Sequence, residues 1–248
     1  MTTARANALR MAALKPAPDY EATLEQKYRR LISPGDLVID IGAHSGRHTS
    51  VFSELVGPTG RVWAFEPLPE VRNAIVPRDC LRIYPFALSD RAGTATFTRV
   101  EGALEESGLR QKIYNRPDLV TKLDKFEVEV RALDDFAGEL DGLSFIKIDV
   151  EGNEIAVLNG ARKALAENRP FLSVEYGYPS YSAYGHSRQT LFKAAESMQY
   201  RIGDFFGSIV SDLDEWEHTC DVSYWDWFLV PVERSEEWSR RISQEPQL

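Results

Sequence analysis

Apolar residues along this chain gather in short, dense runs separated by glycine, proline and charge. The clearest are Leu37 to Ile41, Arg61 to Phe65, Leu81 to Ala87, Leu143 to Val150, Phe171 to Val174 and Trp225 to Val230. Short runs without alternation suit strands buried on both faces. Between them lie segments with helical spacing. Tyr20 to Leu31 places Leu24, Tyr28 and Leu31 on one face, and further helices are predicted over Arg47 to Leu55, 70 to 76, Asn153 to Ala161 and its continuation to Glu167, and Arg188 to Met198. SPGD at 33 to 36, GPTG at 57 to 60 and Pro170 supply the stops. Strand and helix in alternation predict an α/β fold on a mostly parallel sheet with helices on both faces.

Some stretches break this rhythm. Gly93 to Val100 is rich in Thr and Val, and Phe126 to Ala132 alternates, with Phe126, Val128 and Val130 on one face and Glu127, Glu129 and Arg131 on the other. That is a half-exposed strand. Residues 101 to 125 form a long irregular connection, which inside a compact domain points to a lid or substrate loop. YGYPSYSAYGHS at 176 to 187 reads as a loop and Tyr200 to Ile202 as a strand. The acidic stretch 212 to 221 reads as a solvated loop and 233 to 248 as a polar tail. Residues 1 to 32 form a helical extension, its first 17 loosely held. No internal repeat appears, so 1 to 248 reads as one domain.

Composition narrows the function. The 248 residues are 43% hydrophobic and 27% charged, an ordinary globule. A formal net charge of -9 weighs against a surface that neutralises nucleic-acid phosphates. Cys80 and Cys220 stand far apart and fit no metal pattern, so two free thiols in a reducing, cytoplasmic setting are expected. No apolar stretch approaches the ~20 residues a membrane span needs, and no secretory leader is recognisable.

Candidate chemistry collects at the predicted strand ends, where ligands bind in parallel sheets. Asp40 and Gly42, Glu66, Asp149 and Glu151, and Glu175 all close buried runs. The spacing Asp40-x-Gly42-x-x-x-Gly46 lacks the closely set glycines that a dinucleotide pyrophosphate requires, which weighs against an NAD-dependent oxidoreductase. An acid at the turn suits a ligand carrying an ammonium, and Glu66 can accept hydrogen bonds from a ribose diol. S-adenosyl-L-methionine combines ribose and amine without phosphate.

VIDIGAHSGRHT, AFEP, ALSDRAGTATF, VRALDDF and above all FIKIDVEGNEIAVLNGA resemble the FkbM family of class I methyltransferases, over roughly residues 35 to 175. The GAHSG turn departs from the usual family form, which has asparagine where His44 stands. The resemblance implies a Rossmann-like seven-stranded sheet whose last strand, Trp225 to Val230, runs antiparallel. It implies that Asp40, Gly42, Ala43, His44 and Gly46 hold the methionine part of S-adenosyl-L-methionine, that Glu66 holds the ribose, and that Ala87 to Asp90, beginning with Ala87 and Leu88, lies by the adenine. Asp149 and Glu151 are expected to complete the cofactor wall. Family members mostly methylate hydroxyls of sugars, glycolipids or secondary metabolites.

Methyl transfer to an alcohol asks the protein to align oxygen, methyl carbon and sulfur, exclude water and accept a proton. Asp149 is expected beside the transfer point, with Glu175 or His186 as general base. Arg110, Tyr176, Tyr178 and Tyr181 are expected to bind the acceptor. Lys147, inside a buried strand, needs an acid such as Glu175. No metal is expected; Asp149 and Glu175 are the pair that would hold a divalent cation. The expected activity is O-methylation of a small hydroxylated acceptor. An N-methyltransferase of the same fold and a non-catalytic nucleoside-binding module are the alternatives.

Overall fold

A computed structural model describes residues 3–243. In chain order the elements are α1 (Ala4–Ala13), α2 (Tyr20–Leu31), β1 (Leu37–Ile41), α3 (Arg47–Val56), β2 (Arg61–Phe65), α4 (Pro69–Arg72) and β3 (Leu81–Tyr84). Then come β4 (Ala87–Leu88), β5 (Gly93–Glu101), β6 (Lys122–Arg131), β7 (Leu143–Ile148), α5 (Glu154–Asn159) and α6 (Arg162–Asn168). The chain continues through β8 (Phe171–Glu175), α7 (Tyr178–Ala183), α8 (Arg188–Ser197), β9 (Tyr200–Gly203), α9 (Leu213–Glu217), β10 (Asp226–Pro231) and α10 (Ser235–Ser243).

Seven strands form the central sheet in the order β3-β2-β1-β7-β8-β10-β9. The neighbours from β3 to β8 pair in parallel, and β10 is antiparallel to both β8 and β9. The expected sheet, with Trp225 to Val230 supplying its reversed strand, is thus observed. All five residues of β1 are buried, as a strand covered by helices on both faces must be. β1 meets β2 on one side and β7 on the other, and strand order reverses there, which opens a crevice beyond the carboxyl ends. A smaller sheet, β4-β6-β5, stands beside it, its apolar face gathering Leu68, Val71, Phe97, Val128 and Val130.

The structure departs from the expected elements in several places. Pairing in the third strand stops at Tyr84, before Pro85, which has no N–H to give a ladder, and Ala87–Leu88 joins the small sheet instead. The 176–187 loop contains α7, with Pro179 in its first turn, where a missing N–H costs nothing. The acidic loop contains α9, capped by Asp212 and anchored by fully buried Trp216, with Cys220 also inside. The polar tail becomes α10, whose Trp238 and Ile242 are buried; 244–248 lie outside the described residues, as do the first two residues of the lead-in. That lead-in is tied down: α1 buries Ala4, Ala8 and Met11, and Asn7 donates to Asp204 at 2.7 Å. Among the described residues no helix is long and apolar enough to cross a membrane.

Candidate active site

The crevice is a cavity of about 480 Å³ at the carboxyl ends of β1, β2, β7 and β8, a size suited to a nucleoside cofactor. Its floor is the turn after β1. Gly42 has φ +84°, and a Cβ there would lie 1.8 Å from the carbonyl oxygen of Asp149, so only glycine lets β1 and β7 close at this point. The N–H groups of Gly42 and Ala43 both donate to the Phe65 carbonyl. His44, at φ +49°, turns its own N–H onto the Glu66 carboxylate at 2.9 Å. Gly46, at φ +86°, starts α3 and packs against Ile75.

Glu66 receives a second N–H, from Leu68, at 2.7 Å. Burial outweighs these two donors and raises its carboxyl to about 7. Beyond it the cavity becomes apolar, lined by Leu68, Val71, Ala87, Leu88, Phe97, Leu104 and Leu109. Asn153, at the start of α5, spends no side-chain bond on capping that helix. Its amide donates instead to the Leu88 carbonyl, 3.1 Å away, and so fixes the short β4 wall.

The other end of the cavity is charged. Lys147, 2% exposed, places its ammonium 2.6 Å from Asp149 Oδ2. Burial opposes ionisation of Asp149, yet Lys147 prevails and holds that carboxyl below its ordinary value. Glu175 moves the opposite way: burial, then the charges of Asp149 and Glu151, push it well above the usual range. Carboxylate oxygens of Asp149, Glu151 and Glu175 lie within 4.8 Å of one another, while Lys147 and Lys112 set two ammonium charges against them. Glu151 occupies the left-handed region at φ +58°. Buried Glu154, raised to about 8, accepts the N–H groups of Val150 and Gly152 at 3.1 Å each and braces this strained turn.

The cavity brings together Gly42, Ala43, His44, Glu66, Ala87, Leu88, Asp149, Glu151 and Glu175 from the expected set. Other expected residues fall elsewhere. Asp40 is buried beneath the turn, outside the lining, and accepts from Thr49 Oγ1 at 2.6 Å. Tyr176 and Tyr181 are fully buried, packed edge-on against each other, with Tyr176 also against Trp216, so neither offers a face to an acceptor. Tyr178 is exposed under the Arg188 guanidinium, and Arg110 lies over the Tyr184 ring; neither lines the cavity. His186 packs behind α7 against Tyr181 and Tyr184, away from the lining. Lys147 pairs with Asp149, not Glu175, because a residue two places along leaves the strand on the same face.

Several lining residues escaped sequence reasoning. Glu21 comes from α2 and sits 2.7 Å from His48 Nε2. Trp225, 40% exposed, forms part of the wall just before β10. The connection expected as a lid or substrate loop, 101 to 125, contributes Leu104 to Leu109, Asn115 and Arg116, which roof the cavity. Nothing local marks Glu21 or Trp225; only the fold brings them here.

The sheet order with its reversed β10, the glycine turn under a cavity and the acid that ends β2 make up a fold of the class I methyltransferase kind. A family model described as Methyltransferase FkbM domain matches residues 40–202, well over half of the chain, and the chain belongs to that family. It is also similar, at 49% identity over 37 residues, to a protein-L-isoaspartate O-methyltransferase of Ignicoccus hospitalis; that match covers 15% of this chain and 18% of the relative. Among solved structures it is similar to methyltransferase FkbM from Methylobacillus flagellatus (18% identity, TM-score 0.47), covering 90% of this chain and 58% of that one. Another is Aeropyrum pernix fibrillarin with natively bound S-adenosyl-L-methionine (15% identity, TM-score 0.45), covering 90% and 73%.

Proposed function

We propose that this protein transfers a methyl group from S-adenosyl-L-methionine to a hydroxyl oxygen of a small acceptor, a sugar or a natural-product glycoside. The residues present suit that cofactor. The Gly42 turn lets β1 and β7 close into a floor for the cavity, Glu66 offers carboxylate oxygens for a ribose, and the Leu68–Leu88–Phe97 end is apolar enough for an adenine. Bound there, the cofactor supplies a methyl carbon already activated by its sulfonium.

The observation that carries the oxygen-acceptor reading is the division of labour between Asp149 and Glu175. Asp149, kept ionised by Lys147, is placed to accept the proton of an acceptor hydroxyl as its oxygen takes the methyl group. Glu175, which keeps its proton, can donate a hydrogen bond that orients the acceptor. Glu21 and the Trp225 indole face the same end and offer a carboxylate and an aromatic plate to a polyhydroxylated ring. Net charge of -9 supports a small-molecule rather than nucleic-acid acceptor. A cytoplasmic setting agrees with the unpaired thiols of Cys80 and Cys220.

The test has two parts. Calorimetry should show S-adenosyl-L-methionine binding, which Gly42→Val removes. Incubation with that cofactor and a panel of glycosides, aminoglycosides and polyols, followed by mass spectrometry, should then yield an O-methylated product. Methylation of nitrogen in preference to oxygen would sink the oxygen reading, and failure to bind the cofactor would sink both.

A further inference from the structure

The roof of the cavity has its own construction. Residues 102–121 leave β5 and return to β6 through a closed neck, where Thr121 N–H donates to the Glu101 carbonyl at 2.9 Å. Gly102, at φ +93°, lets the two limbs touch: a Cβ there would lie 1.9 Å from the Leu119 carbonyl oxygen. The loop therefore leaves and re-enters the small sheet at one point. Its first limb is stitched to β5, since Gly108 exchanges both backbone hydrogen bonds with Thr98 and Ser107 accepts from the Val100 N–H.

The second limb is held differently. From Leu109 to Thr121 the only buried residue is Lys112, 1% exposed along its side chain, whereas Ile113 beside it is 75% exposed. The Lys112 ammonium is shared by three partners from three places: Glu151 of the strained turn after β7, Ser180 of α7 at 3.1 Å, and Glu106 of the loop's own first limb at 3.5 Å. Glu106 also accepts the N–H groups of Asn115 and Arg116 at 2.7 and 2.9 Å, which folds the limb back over the cavity. Little apolar burial holds residues 109–118, so the polar fastening decides whether the roof is shut.

We infer that Lys112 is a positioning residue that latches residues 109–118 over the cofactor, and that release of its ammonium from Glu151 and Ser180 opens the roof for cofactor entry and exit. This rests on S-adenosyl-L-methionine occupying the cavity, which calorimetry on the unaltered protein tests separately. The latch joins the roof to the turn that bears Asp149, so the closed roof and the set position of Glu151 come together.

The measurement is the association and dissociation of radiolabelled S-adenosyl-L-methionine, chased with unlabelled S-adenosylhomocysteine, on the full chain. Lys112→Met keeps the stem and removes the charge-assisted bonds, and should raise the dissociation rate about tenfold or more. A latch obstructs both directions, so the association rate should rise too, by at least about threefold. Loss of a mere contact would raise dissociation alone. Lys122→Met, on the exposed face of β6, is the charge-matched control and should change neither rate. A Lys112→Met protein whose dissociation rate stays within about twofold of the parent, or whose association rate does not rise, overturns the latch. Should that variant not fold, hydrogen exchange on the unaltered protein decides. The Asn115 and Arg116 amides should exchange faster than those of Phe145 to Ile148 and slow on addition of S-adenosylhomocysteine. Protection equal to the β7 amides without ligand overturns it.

Discussion

The two ends of the cavity are made in different ways. The end under Gly42 and Glu66 is built largely from backbone: a glycine turn, N–H groups donated to Phe65 and to a carboxylate, and a carbonyl approached too closely for any side chain. The end around Asp149 is built from side chains carried in by α2, α3, β7, β8 and the segment before β10, and its geometry depends on which carboxyls carry charge. The shape of the first is set by the chain's path, and a proton on Glu66 alters only what that carboxyl can accept. The second can be altered by moving a proton.

Gly42→Val should give the largest effect, since its Cβ has no place to go and its φ is unfavourable for any branched residue. A loss of 4 kcal/mol or more is expected, roughly the level that marks severe core lesions, read by thermal unfolding together with loss of cofactor binding. Lys147→Met attacks the charged end and should cost about 1–2 kcal/mol of stability, because half-buried Asp149 loses the cation that balances it. Without that cation Asp149 should hold its proton at higher pH, so the acid limb of the rate profile should move upward. An unmoved limb would show that Lys147 does not govern Asp149.

Glu66 tests the backbone end by pH. Burial pushes its carboxyl up to about 7. If the ribose needs the ionised, accepting form, binding below that value requires a proton to leave, so affinity should fall as pH drops from 8 to 6. Glu66→Gln should weaken binding at pH 8 by about 1 kcal/mol and flatten the dependence, both visible by calorimetry. The smallest effect belongs to Trp225→Ala, which should raise the acceptor KM about tenfold, the worth of one stacking face, and leave cofactor affinity unchanged. An equal loss for the cofactor would place Trp225 at the wrong end of the comparison.

This contrast also explains what the sequence could disclose. Asp40 through Gly46 and Asp149 through Glu154 are each contiguous, and their turns follow from φ values that neighbouring residues impose, so both segments could be read directly. Asp40 lies off its expected place because a strand alternates its faces: the acid next to the glycine turn points inward to Thr49, not into the cavity. The tyrosines at 176 and 181 look like an acceptor platform in a glycine- and proline-rich stretch. Pro179 instead opens a helix, and both rings turn inward. Trp216 and Trp238 each draw a polar, acidic stretch into helical structure by burying one large ring, a contact no local pattern reveals. Glu21, His48 and Trp225 meet only through the finished fold.

The fastening of α2 has a consequence for synthesis of the chain. The carbonyls of Arg30 and Leu31, at the end of α2, are taken up by the Arg241 guanidinium of α10, and Arg30 reaches back to the Ile242 carbonyl. Tyr28 of the same helix packs on Phe52 and Phe145. α2 therefore receives its C-terminal cap from a helix translated after the whole central sheet. While the ribosome is still adding the strands between them, α2 has emerged without the partner that secures it. The wall that carries Glu21 is locked only after translation has passed α10, so a nascent chain stalled earlier holds an unfinished site.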